Sequence, residues 1–194
     1  PPAASAILGG GEVNLSGILG PGHVTTVIGT DAWKTLSEKW RIPVAVAGFE
    51  PVDILLAIRM LVDQINEGLS RVDNAYVRSV LPDGNRTALA VMNKVFDVCD
   101  AEWRGFGFLP ASGLSIRDEY AVFDASKIFP VSVPAGHIAL ACHCSEVLRG
   151  VISPGDCPLF GLSCDPRHPV GPCMVSSEGA CMAHYQYGAG HCED

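Results

Sequence analysis

Seven of the eight cysteines in this chain fall in its last 53 residues, at Cys142, Cys144, Cys157, Cys164, Cys173, Cys181 and Cys192, and the first 98 residues hold none. The stretch that carries them is rich in glycine and proline and offers little for a large apolar core. A segment of that size and composition needs something besides hydrophobic burial to hold it together, and sulfur ligation or cross-linking supplies it. The pattern constrains the chain to a conventional folded part followed by a metal or redox module.

With 194 residues there is room for one domain of ordinary size and a small satellite. A hydrophobic fraction of 48% argues against disorder. The net charge is -8, and after residue 142 the only fixed cations are Arg149 and Arg167, so the chain lacks the electrostatic means to hold a phosphate backbone and nucleic acid is not an expected partner. No apolar stretch approaches the roughly 20 residues that span a bilayer, and no basic segment followed by an apolar one marks an export signal. A cytoplasmic location is expected, where clustered cysteines act as metal ligands or redox thiols. The sequence starts at Pro1 without an initiator methionine, which is compatible with a missing upstream signal or domain.

The hydrophobic pattern alternates short apolar runs with longer amphipathic ones. Ala3 to Leu8 and Ser16 to Leu19 are expected as short strands. Gly20-Pro21-Gly22-His23 breaks the second run, and Asp31 is expected to cap a helix through Lys39. Ile42 to Ala47 has the β-branched character of a strand buried on both faces of a parallel sheet. Pro51 suits a first helical turn, apolar residues recur at Ile54, Leu55, Ile58, Leu61, Val62 and Ile65, and Gly68 stops the helix. Ala75 to Val80 is expected as a strand, Arg86 to Val98 as a helix, and Trp103 to Leu114 as a further strand. The fold class is therefore α/β, with a mainly parallel, Rossmann-like sheet and flanking helices over residues 1–129. The composition changes at Pro130 to Gly136, and residues 130–194 are expected as a small, irregular, partly helical cysteine-rich domain, with helices near Ser145 to Val151 and from Ser176 or Ser177 through Tyr187.

The chain has no C-x-x-C, the knuckle spacing that structural zinc usually takes. Successive cysteines from Cys142 are 2, 13, 7, 9, 8 and 11 residues apart. Thiolates delivered singly from separate turns suit a polynuclear centre better than one small ion. An iron-sulfur cluster is the first reading and a zinc-stabilised protein interaction module the second; an all-disulfide framework ranks behind both. The two members of Cys142-x-Cys144 cannot easily serve adjacent corners of one cluster. One ligates while the other is left for thiol chemistry, dividing six cysteines into four ligands and one redox pair. Spacing does not say which member ligates.

The string Cys142-His143-Cys144-Ser145-Glu146-Val147-Leu148-Arg149-Gly150, followed by Cys157-Pro158-Leu159-Phe160-Gly161, Cys164 and Pro169 through Cys181, closely resembles the C-terminal region of the HypD family. Pro21-Gly22-His23-Val24, Gly48-Phe49-Glu50-Pro51-Val52-Asp53, Trp103-Arg104-Gly105 and Ser112-Gly113-Leu114 extend the resemblance over essentially the whole chain. It implies a scaffold on which iron acquires cyanide and carbon monoxide before delivery to the large subunit of nickel-iron hydrogenases. The implied partners are a HypC-type chaperone and a HypE-type cyanide donor. The implied cofactor is a 4Fe-4S cluster with Cys142, Cys157, Cys164 and Cys181 as ligands, beside Cys144 and Cys173 as a redox pair, similar to ferredoxin-thioredoxin reductase. Ser145 stands where the family motif has glycine. The family's additional N-terminal α/β domain, with its iron-holding cysteine and a G-P-G-C-P-V-C motif, has no counterpart here, so the chain looks like the C-terminal half of such a protein.

His23 follows a strand-to-helix junction, the edge where open α/β sheets place ligands. The resemblance makes it, with Glu50 and Asp53, a candidate for a cleft that faces the iron. Carboxylates at the start of a helix also favour its positive end without any other role. Arg78, Asn74 and Asp124 are expected to be structural. Cys99 is expected as a small buried residue, and Cys192 as a terminal bystander.

Overall fold

The computed structural model describes residues 1–103, 106–129 and 141–188. They group into two compact units, each discontinuous in sequence. The first comprises Pro1, Leu15–Asp97 and Ser115–Ala121; the second comprises Pro2–Asn14, Val98–Leu114 and Val122–Asp194. The composition change at Pro130 to Gly136 lies outside the described residues.

The chain opens with α1 (Pro2–Gly9), where a strand is expected. Alanine has the lowest cost in a helix and proline suits the first turn, and a six-residue apolar run is too short for periodicity to separate helix from strand. In the first unit, β1 (Ile18–Pro21), α2 (Gly22–Ile28), α3 (Asp31–Trp40), β2 (Val44–Ala47), α4 (Pro51–Glu67) and β3 (Val72–Asn74) follow in order. The three strands form a parallel sheet in the order β1-β2-β3, with Ile18 beside Val44 and Val44 beside Val72. This is an α/β fold whose sheet is flanked by helices.

Every residue of β2 is buried. Ala45 and Ala47 form one cluster with Ala57 of α4 and Ala75, with Met60 and Leu61 packed around it. Side chains alternate along a strand, so Val44 and Val46 point to the other face. The small residues let α4 approach the sheet closely. Its buried amide Gln64 donates to the Val44 carbonyl at 3.4 Å and the Asp73 carboxylate at 3.0 Å and accepts from the Arg71 N–H at 3.0 Å. No buried side-chain nitrogen or oxygen among the described residues lacks a partner. Gly68 closes α4 in the left-handed region, φ 67°, as expected.

The strand expected at Ala75 to Val80 is instead β3 at Val72–Asn74, followed by a turn. Asn74 ends it: its side chain accepts from the Tyr76 N–H at 2.9 Å and donates to the Val80 carbonyl at 3.1 Å, an Asx turn that outcompetes further ladder pairing. Next, α5 (Arg86–Val95) is capped by Asn85, whose side chain accepts from the Ala88 N–H. It stops three residues short of the expected Val98, because Phe96 opens β4 (Phe96–Trp103), which pairs with β5 (Gly107–Ile116). Three residues link these strands, a connection only an antiparallel pair allows. Cys99 therefore lies on β4 and is half-buried, where a small buried residue is expected. Of the strand expected from Trp103 to Leu114, Gly107–Leu114 lie in β5, while Trp103 ends β4. Further on lies the short helix α6 (Ala125–Ile128). No helix among the described residues is long and apolar enough to cross a membrane.

Candidate functional site

Short elements carry the cysteines of the second unit. Cys144 opens α7 (Cys144–Leu148), Cys173 lies in α8 (Pro172–Val175) and Cys181 lies in α9 (Ala180–Tyr187). Cys157 follows a 3-10 turn at Pro154–Asp156 that is closed by the Ser153 N–H donating to the Asp156 carboxylate at 2.9 Å. Cys164 sits in a tight turn, where its N–H donates to the Leu159 carbonyl at 2.9 Å and its sulfur accepts from the Val170 N–H at 3.4 Å. The helices expected near Ser145 and Ser176 exist, but the second starts at Ala180, after Gly179. Ser176 instead turns its hydroxyl to the Glu178 N–H at 3.2 Å.

These turns assemble a sulfur-rich core: Cys144, Val147, Cys164, Cys173, Met174, Cys181 and Met182 are buried together, and Cys142 packs against them. The segment Pro2–Asn14 is tied to the same unit through Arg149. Its guanidinium donates to the Ser145 and Glu12 carbonyls at 3.2 and 3.0 Å, and its own carbonyl accepts from the Asn14 N–H at 2.8 Å.

Cys144 and Cys173 form a disulfide, with Cα atoms 6.2 Å apart. Cys142, Cys157, Cys164 and Cys181 carry free thiols, as does Cys99. The structure thus joins the two cysteines named above as a redox pair and leaves unpaired the four named as ligands. Cys192 lies outside the described residues. Burial pushes the Cys181 thiol up to about 11, reinforced by Cys157, Cys164 and Cys142. Burial likewise raises Cys142, with Cys157, Cys164 and Glu146 adding to it against an opposing backbone hydrogen bond. No three of the His, Cys, Asp and Glu residues described are grouped as ligands of a single metal ion. The donor set does fit a group that binds four thiolates. Cys157 and Cys164 lie within electrostatic reach of Cys142 and Cys181, and the reluctance to ionise that burial imposes on Cys142 and Cys181 is what a metal centre would relieve.

Glycines let the backbone run close to this sulfur core. A side-chain carbon at Gly171 would lie 2.6 Å from the Cys142 sulfur and 3.5 Å from the Cys144 β-carbon, and one at Gly179 would collide with the Cys173 carbonyl. Neither requirement shows in the spacing of the cysteines.

The second group of candidates lies at the carboxyl ends of the parallel strands in the first unit. His23 sits in the first turn of α2, and its ring lies 5.2 Å from that of Phe49. Glu50 is the N-cap of α4 and Asp53 lies in its first turn. Arg78 grips Asp53 through two nitrogens at 2.6 and 2.7 Å and reaches Glu50 at 3.2 Å, while its guanidinium stacks 4.5 Å from the Tyr76 ring. The Arg78 hydrogen bonds hold the Asp53 carboxyl below the usual range against the opposing effect of desolvation. Arg78 is structural, as expected, but no local spacing signals that it clamps both carboxylates, since it lies 25 residues from Asp53. Of the motif Trp103-Arg104-Gly105, the last two residues lie outside the described residues.

A family model described as "HypD: Hydrogenase formation hypA family" matches residues 1–188. The chain is 48% identical over 179 residues to the hydrogenase maturation factor HypD of Rhizobium leguminosarum bv. viciae, covering 92% of this chain and 46% of that protein. It is 48% identical over 179 residues to that of Azotobacter vinelandii, with 92% and 47% covered. It is 40% identical over 193 residues to that of Rhodobacter capsulatus, with 97% and 51% covered. The chain spans about half the length of the curated relatives it matches.

Proposed function

This chain belongs to the HypD family, and we propose that it forms the redox-active part of a scaffold on which the Fe(CN)2CO centre of nickel-iron hydrogenases is assembled in the cytoplasm. The observation that carries the reading is the division of the sulfur core into one disulfide, Cys144–Cys173, and four free thiols at Cys142, Cys157, Cys164 and Cys181. Those four thiols would hold a 4Fe-4S cluster, which supplies electrons one at a time when bound. Reducing the Cys144–Cys173 disulfide takes two electrons and two protons and yields two thiols, so the pair is the two-electron store of the unit. Both of its cysteines are buried, which shields them from adventitious thiols. Gly171 keeps the Cys142 sulfur and the Cys144 side chain against the same stretch of backbone.

The edge that carries His23, Glu50 and Asp53 is assigned to the iron cargo, with Arg78 fixing the two carboxylates. The HypC-type chaperone, the HypE-type cyanide donor and the hydrogenase large subunit are the partners of a full-length scaffold. The deciding experiment is anaerobic reconstitution with iron and sulfide, followed by metal and sulfide analysis and a visible spectrum. Iron and sulfide in equal amounts are expected, lost in Cys181→Ser and kept in Cys144→Ser. Stoichiometric zinc without sulfide would overturn the cluster and install the zinc-stabilised interaction module in its place.

A further inference from the structure

Helix α4 has two apolar-patterned faces, and the sheet uses one of them. Asp53, Ala57 and Gln64 are buried, with Met60 and Leu61 packed at their side. Leu55, Ile58, Val62 and Ile65 are turned away and stand 66%, 45%, 47% and 45% exposed. Their positions repeat as i, i+3, i+7 and i+10, the spacing of a seam that receives a second helix. At 1.5 Å per residue this stripe runs about 15 Å, nearly three turns. The ion pair between Arg59 and Asp63, at 3.6 Å, borders it with charge. Single exposed apolar side chains are ordinary, but a continuous stripe at heptad spacing is a surface that normally has a partner.

The matched relatives are about twice as long as this chain, which covers 46% and 47% of two of them. A full-length member therefore carries about as much chain again. We infer that the stripe Leu55-Ile58-Val62-Ile65 seats an amphipathic helix from the half of a HypD protein that this chain does not include. The spacing sets the kind of partner, a helix with its own apolar seam, and the length of the relatives beyond the matched part supplies its source. This assignment depends on the family and not on the redox reading of the cysteines, so the two stand or fall separately.

The test joins this chain, in place of the part it matches, to the remainder of the Rhizobium leguminosarum relative and compares hydrogen exchange over residues 51–67 with that of the chain alone. Exchange at least tenfold slower in the fusion is expected. Leu55→Lys with Val62→Lys should abolish that slowing, while Val122→Lys, at an exposed position elsewhere, should leave it. Equal exchange in the two contexts would overturn the inference, as would slowing that survives the double substitution. A dimer of the chain alone that the double substitution dissolves would also overturn it, by giving the stripe to a second copy. Should the double variant fail to fold, the unsubstituted comparison decides: tenfold slowing supports the assignment and no slowing refutes it.

Discussion

Oxidation of Cys144 and Cys173 closes a loop across a sequence separation of 29 residues. Cross-linking a loop of that length removes about 12 cal/mol/K of entropy from the unfolded ensemble, worth about 3.6 kcal/mol at 25 °C in the chain-entropy treatment. The cysteine-bearing unit has a small core in which sulfur stands in for much of the usual aliphatic packing, so this should be a large share of its stability. The assay is urea unfolding of the metal-free protein, with oxidised and reduced samples each equilibrated separately so that no disulfide reshuffles during the titration. At an ordinary slope the two midpoints should differ by roughly 2 M urea. Cys173→Ala is the control, because it contains the other thiols but cannot form the bridge. Its two redox states should unfold alike. A wild-type difference below about 1 kcal/mol would refute the claim that this loop constraint supports the module. The same result would follow if Cys173→Ala showed an equal difference, since the effect would then belong to other thiols.

Gly171→Ala places a carbon 2.6 Å from the Cys142 sulfur, and it should lower iron retained after reconstitution while leaving the unfolding of the α/β unit unchanged. Metal analysis beside a denaturation curve checks both halves of that statement. Asp53 has its carboxyl held low by Arg78, so its stabilising contribution is present above the ordinary carboxylate pKa and disappears as pH falls through the lowered one. Asp53→Asn should therefore destabilise at neutral pH and flatten the acid limb, read from melting temperatures across a pH series. Cys181 has the opposite sign. Its folded-state value of about 11 exceeds that of an unfolded thiol, so the metal-free protein should lose stability as pH rises from about 8.5 to about 11, and Cys181→Ser should remove part of that loss.

Features written in local chemistry were legible in the sequence. Pro51 and Gly68 bracket α4 because one residue cannot donate in the first turn and the other enters the left-handed region cheaply. The β-branched run from Ile42 to Ala47 suited a strand buried on both faces, and Val44–Ala47 form one. The Cys142-x-Cys144 spacing suggested that its two members differ, and the structure pairs Cys144 with Cys173 while Cys142 stays free. What failed depended on competition or on distance. Asn74 ends β3 by bonding its own neighbours, where propensity alone extended a strand from Ala75. Arg78 finds Asp53 across 25 residues, and no local pattern marks such a meeting.

Helix α4 shows the limit of periodicity most clearly. Ile54, Leu55, Ile58, Leu61, Val62 and Ile65 identify a helix and imply a buried face, yet the sheet takes Ala57 and Gln64 and leaves Leu55, Ile58, Val62 and Ile65 outside. An apolar period reports that a face is suited to burial; it does not say which surface buries it. Here the alanines Ala45, Ala47 and Ala75 let α4 approach closely at Ala57, with Met60 and Leu61 packed at the side of that contact. Leu55, Ile58, Val62 and Ile65 are left on the other side, where their spacing fits a helix better than a sheet. A strong periodic signal on a face that the fold itself leaves exposed marks a surface suited to a partner, which is what the exchange measurement over residues 51–67 tests.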